Sequence, residues 1–179
     1  MADLDTIDNL KATIGKRGGL AHQNRFSLVM TTPAAMQNNV ANQEITLLCE
    51  TASFPGRQIE TFEYPLLLSR NTVKMPNGYF NEDITFNFIL TNDQYVRRLF
   101  DEWTNLVIDR ETYLLNYDDV FKTDMEIHHL NQKGEATYKM KLLRSFPITI
   151  NSVELSNASS NDYQRLSVTF TFEDFETIL

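Results

Sequence analysis

The sequence holds one cysteine and three histidines in 179 residues, which excludes an intramolecular disulfide and leaves little material for a metal centre. Cys49 lies on the alternating run Ile45, Leu47, Cys49, the setting of a small core thiol in a protein that folds under reducing conditions. No apolar run approaches the roughly 20 residues needed to cross a bilayer, so no membrane anchor is expected. Residues 1–11 are acidic and lack the basic-then-apolar order of a secretory signal. Basic charge is scarce, at 16 Lys and Arg against 24 Asp and Glu, for a net charge of −8 and a pI near 4.8. Lys16-Arg17 and Arg97-Arg98 are isolated pairs, whereas specific nucleic-acid binding rests on basic patches that displace counterions from phosphate.

Chemistry-bearing motifs are also missing. There is no nucleophile elbow and no basic–aromatic strand of the RNA-binding kind, and Lys16-Arg17-Gly18-Gly19 lacks the spacing of a phosphate loop. His128-His129 is the one metal-like pair, but neighbours on a strand point to opposite faces and cannot chelate one ion. Asp118-Asp119 and Glu82-Asp83 read as turn residues, where Asp bonds its own backbone. No catalytic, cofactor-binding or metal-binding residue is therefore expected, and no cofactor.

What is present is periodicity. Ile84, Phe86, Phe88 and Leu90 alternate with Asp83, Thr85, Asn87 and Ile89, close to the period of a half-buried strand. After Asn92-Asp93, both good helix N-caps, Tyr95, Leu99, Trp103 and Leu106 recur at helical spacing. These four are expected to pack as one helix face. A chain otherwise full of alternating segments then predicts a mainly β domain, a β-sandwich or barrel with one flanking α-helix. At 179 residues it suits a single domain that buries roughly 70% of its unfolded surface.

The segment 1–24 reads as an N-terminal extension, with a short amphipathic helix over Asp5–Ile14 carrying Ile7, Leu10 and Ile14, stopped by Gly15 and hinged at Gly18-Gly19. So short a helix rarely holds itself in water; it docks on its own domain or a neighbour, or is disordered. Strands are expected at Arg25–Thr32 and Glu44–Glu50, separated by a polar loop over Pro33–Gln43. A sharp turn is expected at Pro55-Gly56-Arg57. Residues 57–79 follow as a long arm. Its Tyr64, Leu66, Leu67 and Leu68 are too apolar for a disordered loop, and are either an arm tip buried in another subunit or an ordinary core strand. Asp109–Lys122 is an acidic, aromatic-bearing connection. A hairpin over Thr123–Leu130 and Ala136–Ser145 turns at Asn131-Gln132-Lys133-Gly134. A further strand is expected through Ile148, Ile150, Val153 and Leu155, then a polar loop, then a strand with Leu166, Val168, Phe170 and Phe172 on one face.

The order of these parts, from Phe54-Pro55-Gly56 through Phe100-Asp101-Glu102-Trp103 to Phe146-Pro147 and Phe172-Glu173-Asp174-Phe175, resembles the tail tube protein of contractile-tailed, T4-like bacteriophages. The resemblance covers roughly residues 5–176 and rests on order and spacing rather than on any catalytic fingerprint. It departs from the pattern in the insert at Pro33–Gln43 and the connection at Asp109–Lys122.

The resemblance implies a non-enzymatic structural subunit of the virion tail, assembled in the host cytoplasm. Six copies would form a ring whose sheets join edge to edge, and rings would stack into a hollow tube inside a contractile sheath. The implied partners are further copies of itself, the sheath protein, and baseplate and tape-measure proteins; the genome passes through the lumen without specific binding. Six copies at −8 give a ring of −48, which repels phosphate where enough of it faces the lumen. The arm, with Pro55, Gly56, Arg57, Tyr64, Leu66, Leu67 and Leu68, is the implied subunit interface. Related architectures, a baseplate tube-initiator or the inner tube of an injection or type VI secretion system, are the nearest alternatives. A soluble β-domain hydrolase or ligand-binding protein is a distant one.

Overall fold

The computed structural model describes residues 7–36, 42–65, 71–153, 155 and 163–178. Alternation is realised most directly in β5 (Ile84–Ile89), where Ile84, Phe86 and Phe88 are buried, and in β8 (Arg165–Thr171), where Leu166, Val168 and Phe170 are buried. The two strands pair antiparallel, Phe86 opposite Val168 and Ile84 opposite Phe170. Helix α3 (Tyr95–Val107) lies over this apolar face. Leu99 and Trp103 are buried and Tyr95 and Leu106 are half-buried against the core. Phe88 meets Phe100 at 5.2 Å between ring centroids, and Trp103 meets Phe170 edge-on at 5.8 Å. The indole N–H donates to the Phe121 carbonyl at 2.8 Å, so the buried ring leaves no polar atom unsatisfied.

The rest of the wall comes from β1 (Phe26–Met30), β2 (Cys49–Thr51), β6 (Thr123–Leu130), β7 (Ala136–Ile150) and β9 (Asp174–Thr177). Hydrogen-bonded order is β1-β6-β7-β8-β5-β2, with β9 paired to β7, and every pairing is antiparallel. β7 is the pivot. Its first part pairs β6 on one side and β9 on the other; from Phe146 onward it pairs β8. The change of partner follows Arg144, which sits at φ 52, and the ladder shifts register between Pro147 and Thr149. A residue without an N–H fits such an irregularity. This bend curls the sheet into a nearly closed, barrel-like wall around the aromatic core.

The fold class stands, while several local expectations do not. Glu44–Glu50 is not a strand: helix α2 (Asn42–Leu48) occupies it, and only β2 follows. Helical spacing buries Ile45 and half-buries Leu48 while Leu47 points outward, and Thr46 Oγ1 bonds the Leu28 carbonyl beside it. Three apolar residues in a short run fit either period, and docking on β1 selects the helix. Ile148 and Ile150 do not open a separate strand, because β7 runs unbroken through Phe146-Pro147 to Ile150, and Val153 and Leu155 lie outside any strand. α3 is capped not by Asn92 or Asp93 but at Gln94, left-handed at φ 54 with no side-chain cap bond. Asp93 accepts instead from the Tyr95 N–H at 3.4 Å. A short α4 (Asp118–Phe121) interrupts the connection after α3. The β6–β7 hairpin turns as expected: Gly134 takes φ 84, and Asn131 Oδ1 accepts from Lys133 N and Glu135 N.

Candidate assembly surface

The arm is a two-stranded antiparallel hairpin, β3 (Arg57–Pro65) and β4 (Thr72–Asn81), separate from the main sheet. No residue of either strand is buried. An isolated two-stranded ribbon is at best marginally stable in water, so its composition matters. Cross-strand partners share a face. One distal face carries the pairs Phe62 with Met75 and Tyr64 with Val73; the other carries Thr61 with Pro76, Glu63 with Lys74 and Pro65 with Thr72. The first four side chains are 45–48% exposed. The arm is therefore two-faced, apolar on one side and polar on the other, with Asn77 the extra residue where the register shifts. Leu66, Leu67 and Leu68 lie outside the described residues.

No turn forms at Pro55-Gly56, contrary to expectation. Gly56 has no positive φ of the kind a type II turn requires there, and its carbonyl instead accepts from Glu82 N at 3.5 Å, extending the ladder at the arm's root. Arg57 is the anchor of that root. Its guanidinium lies 2.5 Å from Asp174 Oδ1, donates to the Phe175 carbonyl at 3.3 Å, and stacks 4.7 Å from the Tyr79 ring and 4.2 Å from the Phe175 ring. Tyr79 Oη and Asn81 Nδ2 also reach the Asp174 carboxylate, at 3.4 and 3.5 Å. The Phe175 backbone N–H and the Arg57 charge hold Asp174 below the usual carboxylate range.

A second cluster adjoins the first. Arg144, at the β7 bend, donates to Glu173 at 2.9 Å and reaches Asp119 and Asp118 at 3.2 and 3.5 Å; Lys122 bridges Asp118 at 2.5 Å and Glu173 at 3.0 Å. Lys122, then Arg144, lowers the pKa of Glu173, and Lys122 is the main cause of the same shift in Asp118. Glu173 and Asp174 thus tie arm, α4 and the β7 bend to one point. These carboxylates are engaged in ion pairs that hold the arm's root and the bend together.

The histidines separate as their strand places them. His128 bonds Glu126 at 2.8 Å, and His129 meets the His22 carbonyl at 3.2 Å. Burial pushes the Cys49 thiol up to about 12, the state of an inert core cysteine. Among the described residues no group of three or more His, Cys, Asp or Glu is placed to hold a metal ion, and no helix is long and apolar enough to cross a membrane.

Residues 21–178 match the family model described as phage tail tube protein. The chain belongs to that family. Individually curated protein sequences gave no match. Among solved structures, this tail tube chain is similar to a chain of the anti-feeding prophage baseplate, at TM-score 0.64 and 13% identity over 89% of this chain and 95% of that one. It is also similar to chains of the anti-feeding prophage tube-terminating cap (0.63, 21%, 88% and 90%) and of the extended sheath–tube complex of a PVC extracellular contractile injection system (0.62, 21%, 88% and 90%). At these identities the likeness establishes a shared fold.

Within the tail tube fold, the structure sorts the sequence-derived residues into two sets. Tyr95, Leu99, Trp103 and Leu106 pack α3 onto the barrel, and Arg57 with Tyr64 belongs to the projecting hairpin. Arg57 itself is occupied within its own chain. The anchors Glu173, Asp174 and Arg144 carried no signal as a site, although Glu173-Asp174 stands inside the ending that marked the family resemblance.

Proposed function

We propose that this tail tube subunit is a non-enzymatic building block whose hexameric rings stack into a hollow tube inside a contractile sheath. The observation that carries this reading is the two-faced hairpin: an exposed apolar quartet on a ribbon too small to stand alone, fixed at its root by Arg57 and Asp174. Its apolar face would pack on the next ring. The tube would grow from a baseplate around a tape-measure protein in the host cytoplasm and later conduct the genome. An acidic ring of −48 from six copies of −8 would let DNA pass without adhering. Relatives of the fold solved in baseplate, cap and sheath–tube assemblies support these partners as a class.

Purified protein, alone and seeded with baseplates, tests the proposal by light scattering and negative-stain microscopy. Rings about six-fold symmetric and tubes that lengthen with protein concentration are expected. A stable compact monomer at high concentration, with no tubes even when seeded, would overturn it.

A further inference from the structure

Two other apolar surfaces are left uncovered, and they are opposite in charge. The first is the turn 108–117 after α3. Tyr113, Leu114, Leu115 and Tyr117 are 82, 68, 69 and 87% exposed. The turn is nevertheless rigidly built. Asp109 accepts from Glu111 N at 2.9 Å and Thr112 Oγ1 at 2.8 Å, Tyr113 N donates to Asp109 O at 2.8 Å, and Asn116 Nδ2 donates to Leu106 O at 2.6 Å. Tyr113 is held left-handed at φ 55, a conformation that disfavours a bulky side chain. Large apolar side chains on a preorganised support lose little freedom when they bind. Within the turn the carboxylates Asp109 and Glu111 stand against one Arg110.

The second surface is α1 (Ile7–Lys16), of which no residue is buried. Ile7 and Leu10 are 69 and 60% exposed, and with Ile14 they mark one side of the helix. A helix of 10 residues does not persist on its own in water. Residues 7–17 carry Lys11, Lys16 and Arg17 against one Asp8. A tight cap closes the helix: Gly19 N bonds Ile14 O at 2.9 Å, with Gly18 at φ 83 and Gly19 at φ 101. Arg25 N donates to His22 O, and His129 holds the same carbonyl. That leaves only Leu20 and Ala21 between the cap and His22, a link of up to ~10 Å.

We infer that α1 of one copy docks on the 108–117 turn of a second copy, its Ile7–Leu10–Ile14 side covering Tyr113, Leu114 and Leu115 and its basic end facing Glu111 and Asp109. Charge complementarity selects this occupant: the body of the chain is acidic, and α1 is its locally basic apolar element. The contact is head-to-tail, so repeated round a closed symmetry it joins every copy to the next. This rests on the assembly reading above.

Copies carrying Leu10→Cys and copies carrying Leu114→Cys, assembled together and treated with a short thiol-reactive cross-linker, test it. The mixture should give covalent dimers and nothing larger, and either variant alone should give none, since Cys49 is half-buried. Independently, Arg17→Glu should raise the concentration needed for assembly about threefold or more, a surface-pair effect, and adding Glu111→Lys should restore it. Tubes that form without the cross-link, a charge reversal that the second reversal does not rescue, or a doubly substituted chain that links within itself when diluted into unsubstituted protein would each overturn the docking. Chains that form no tubes at all would defeat the assembly reading itself.

Discussion

The two faces of the arm can be set against each other with adjacent substitutions. Phe62 and Thr61 are neighbours on β3 and point to opposite sides, Phe62 with Met75 and Thr61 with Pro76. Phe62→Asp and Thr61→Asp add the same charge at nearly the same place, so long-range electrostatics cancel in the comparison. Phe62 is 45% exposed in the single chain. For an aromatic side chain of roughly 200 Å², that leaves about 90 Å² to bury, worth ~2 kcal/mol at about 25 cal/mol per Å². Replacing it with a carboxylate also places an unpaired charge in the contact, at several kcal/mol more. Across the six arms of one proposed ring, stacking weakens by on the order of 10 kcal/mol or more, enough to abolish tubes. The folded monomer should be almost unaffected, because no residue of the hairpin is buried in it. Circular dichroism melts should overlay for both variants within about 2 °C, a shift of under ~0.5 kcal/mol. Pelleting and microscopy should show tubes with Thr61→Asp and none with Phe62→Asp. Equal loss in both, or full-length tubes from Phe62→Asp, would refute the assignment of faces.

Trp103 is fully buried and donates to Phe121 O. Trp103→Ala should cost about 3–5 kcal/mol and Trp103→Phe about 2–3, largely from the abandoned carbonyl, as read by chemical denaturation; as the one Trp in the chain, it should emit at a blue-shifted maximum until unfolding. Acid should loosen the arm's root. Asp174, Glu173 and Asp118 have depressed folded pKa values, so their contribution is present above the ordinary carboxylate range near 4 and lost as pH falls through the folded values. Melting temperature should therefore drop below about pH 4, and limited proteolysis at 57–81 should quicken there first. Arg57→Met should bring that cleavage to pH 7 without moving the Trp emission.

Legibility from sequence followed the clarity of the period. β5, α3 and β8 each offer four apolar residues at one unambiguous spacing, and all three stand where the sequence put them. α2 failed because Ile45 with Leu47 suggests a strand while Ile45 with Leu48 suggests a helix, and the deciding contact, with β1, is tertiary. The β7 bend failed because Phe146-Pro147 reads as a break, whereas a bulge lets the strand continue. The arm's apolar tip read equally as an interface or a core strand, and of it only Tyr64, 48% exposed, lies among the described residues. The arm's anchor was not legible, because Arg57 and Asp174 are 117 positions apart and no local pattern links them.

That separation gives the arm a schedule. A ribosome adding ~5–20 residues per second finishes Arg57 roughly 6–23 s before Asp174 exists, from the 117-residue gap. During that interval the hairpin has its strands but not its fastening, and β1 likewise waits for β6, with which Phe26 pairs at His129. If the arm joins rings as proposed, a nascent chain would present its ribbon in no fixed pose and would not be captured by a growing polymer in the correct orientation. On that proposal, readiness to polymerise would be withheld until the body of the chain had closed.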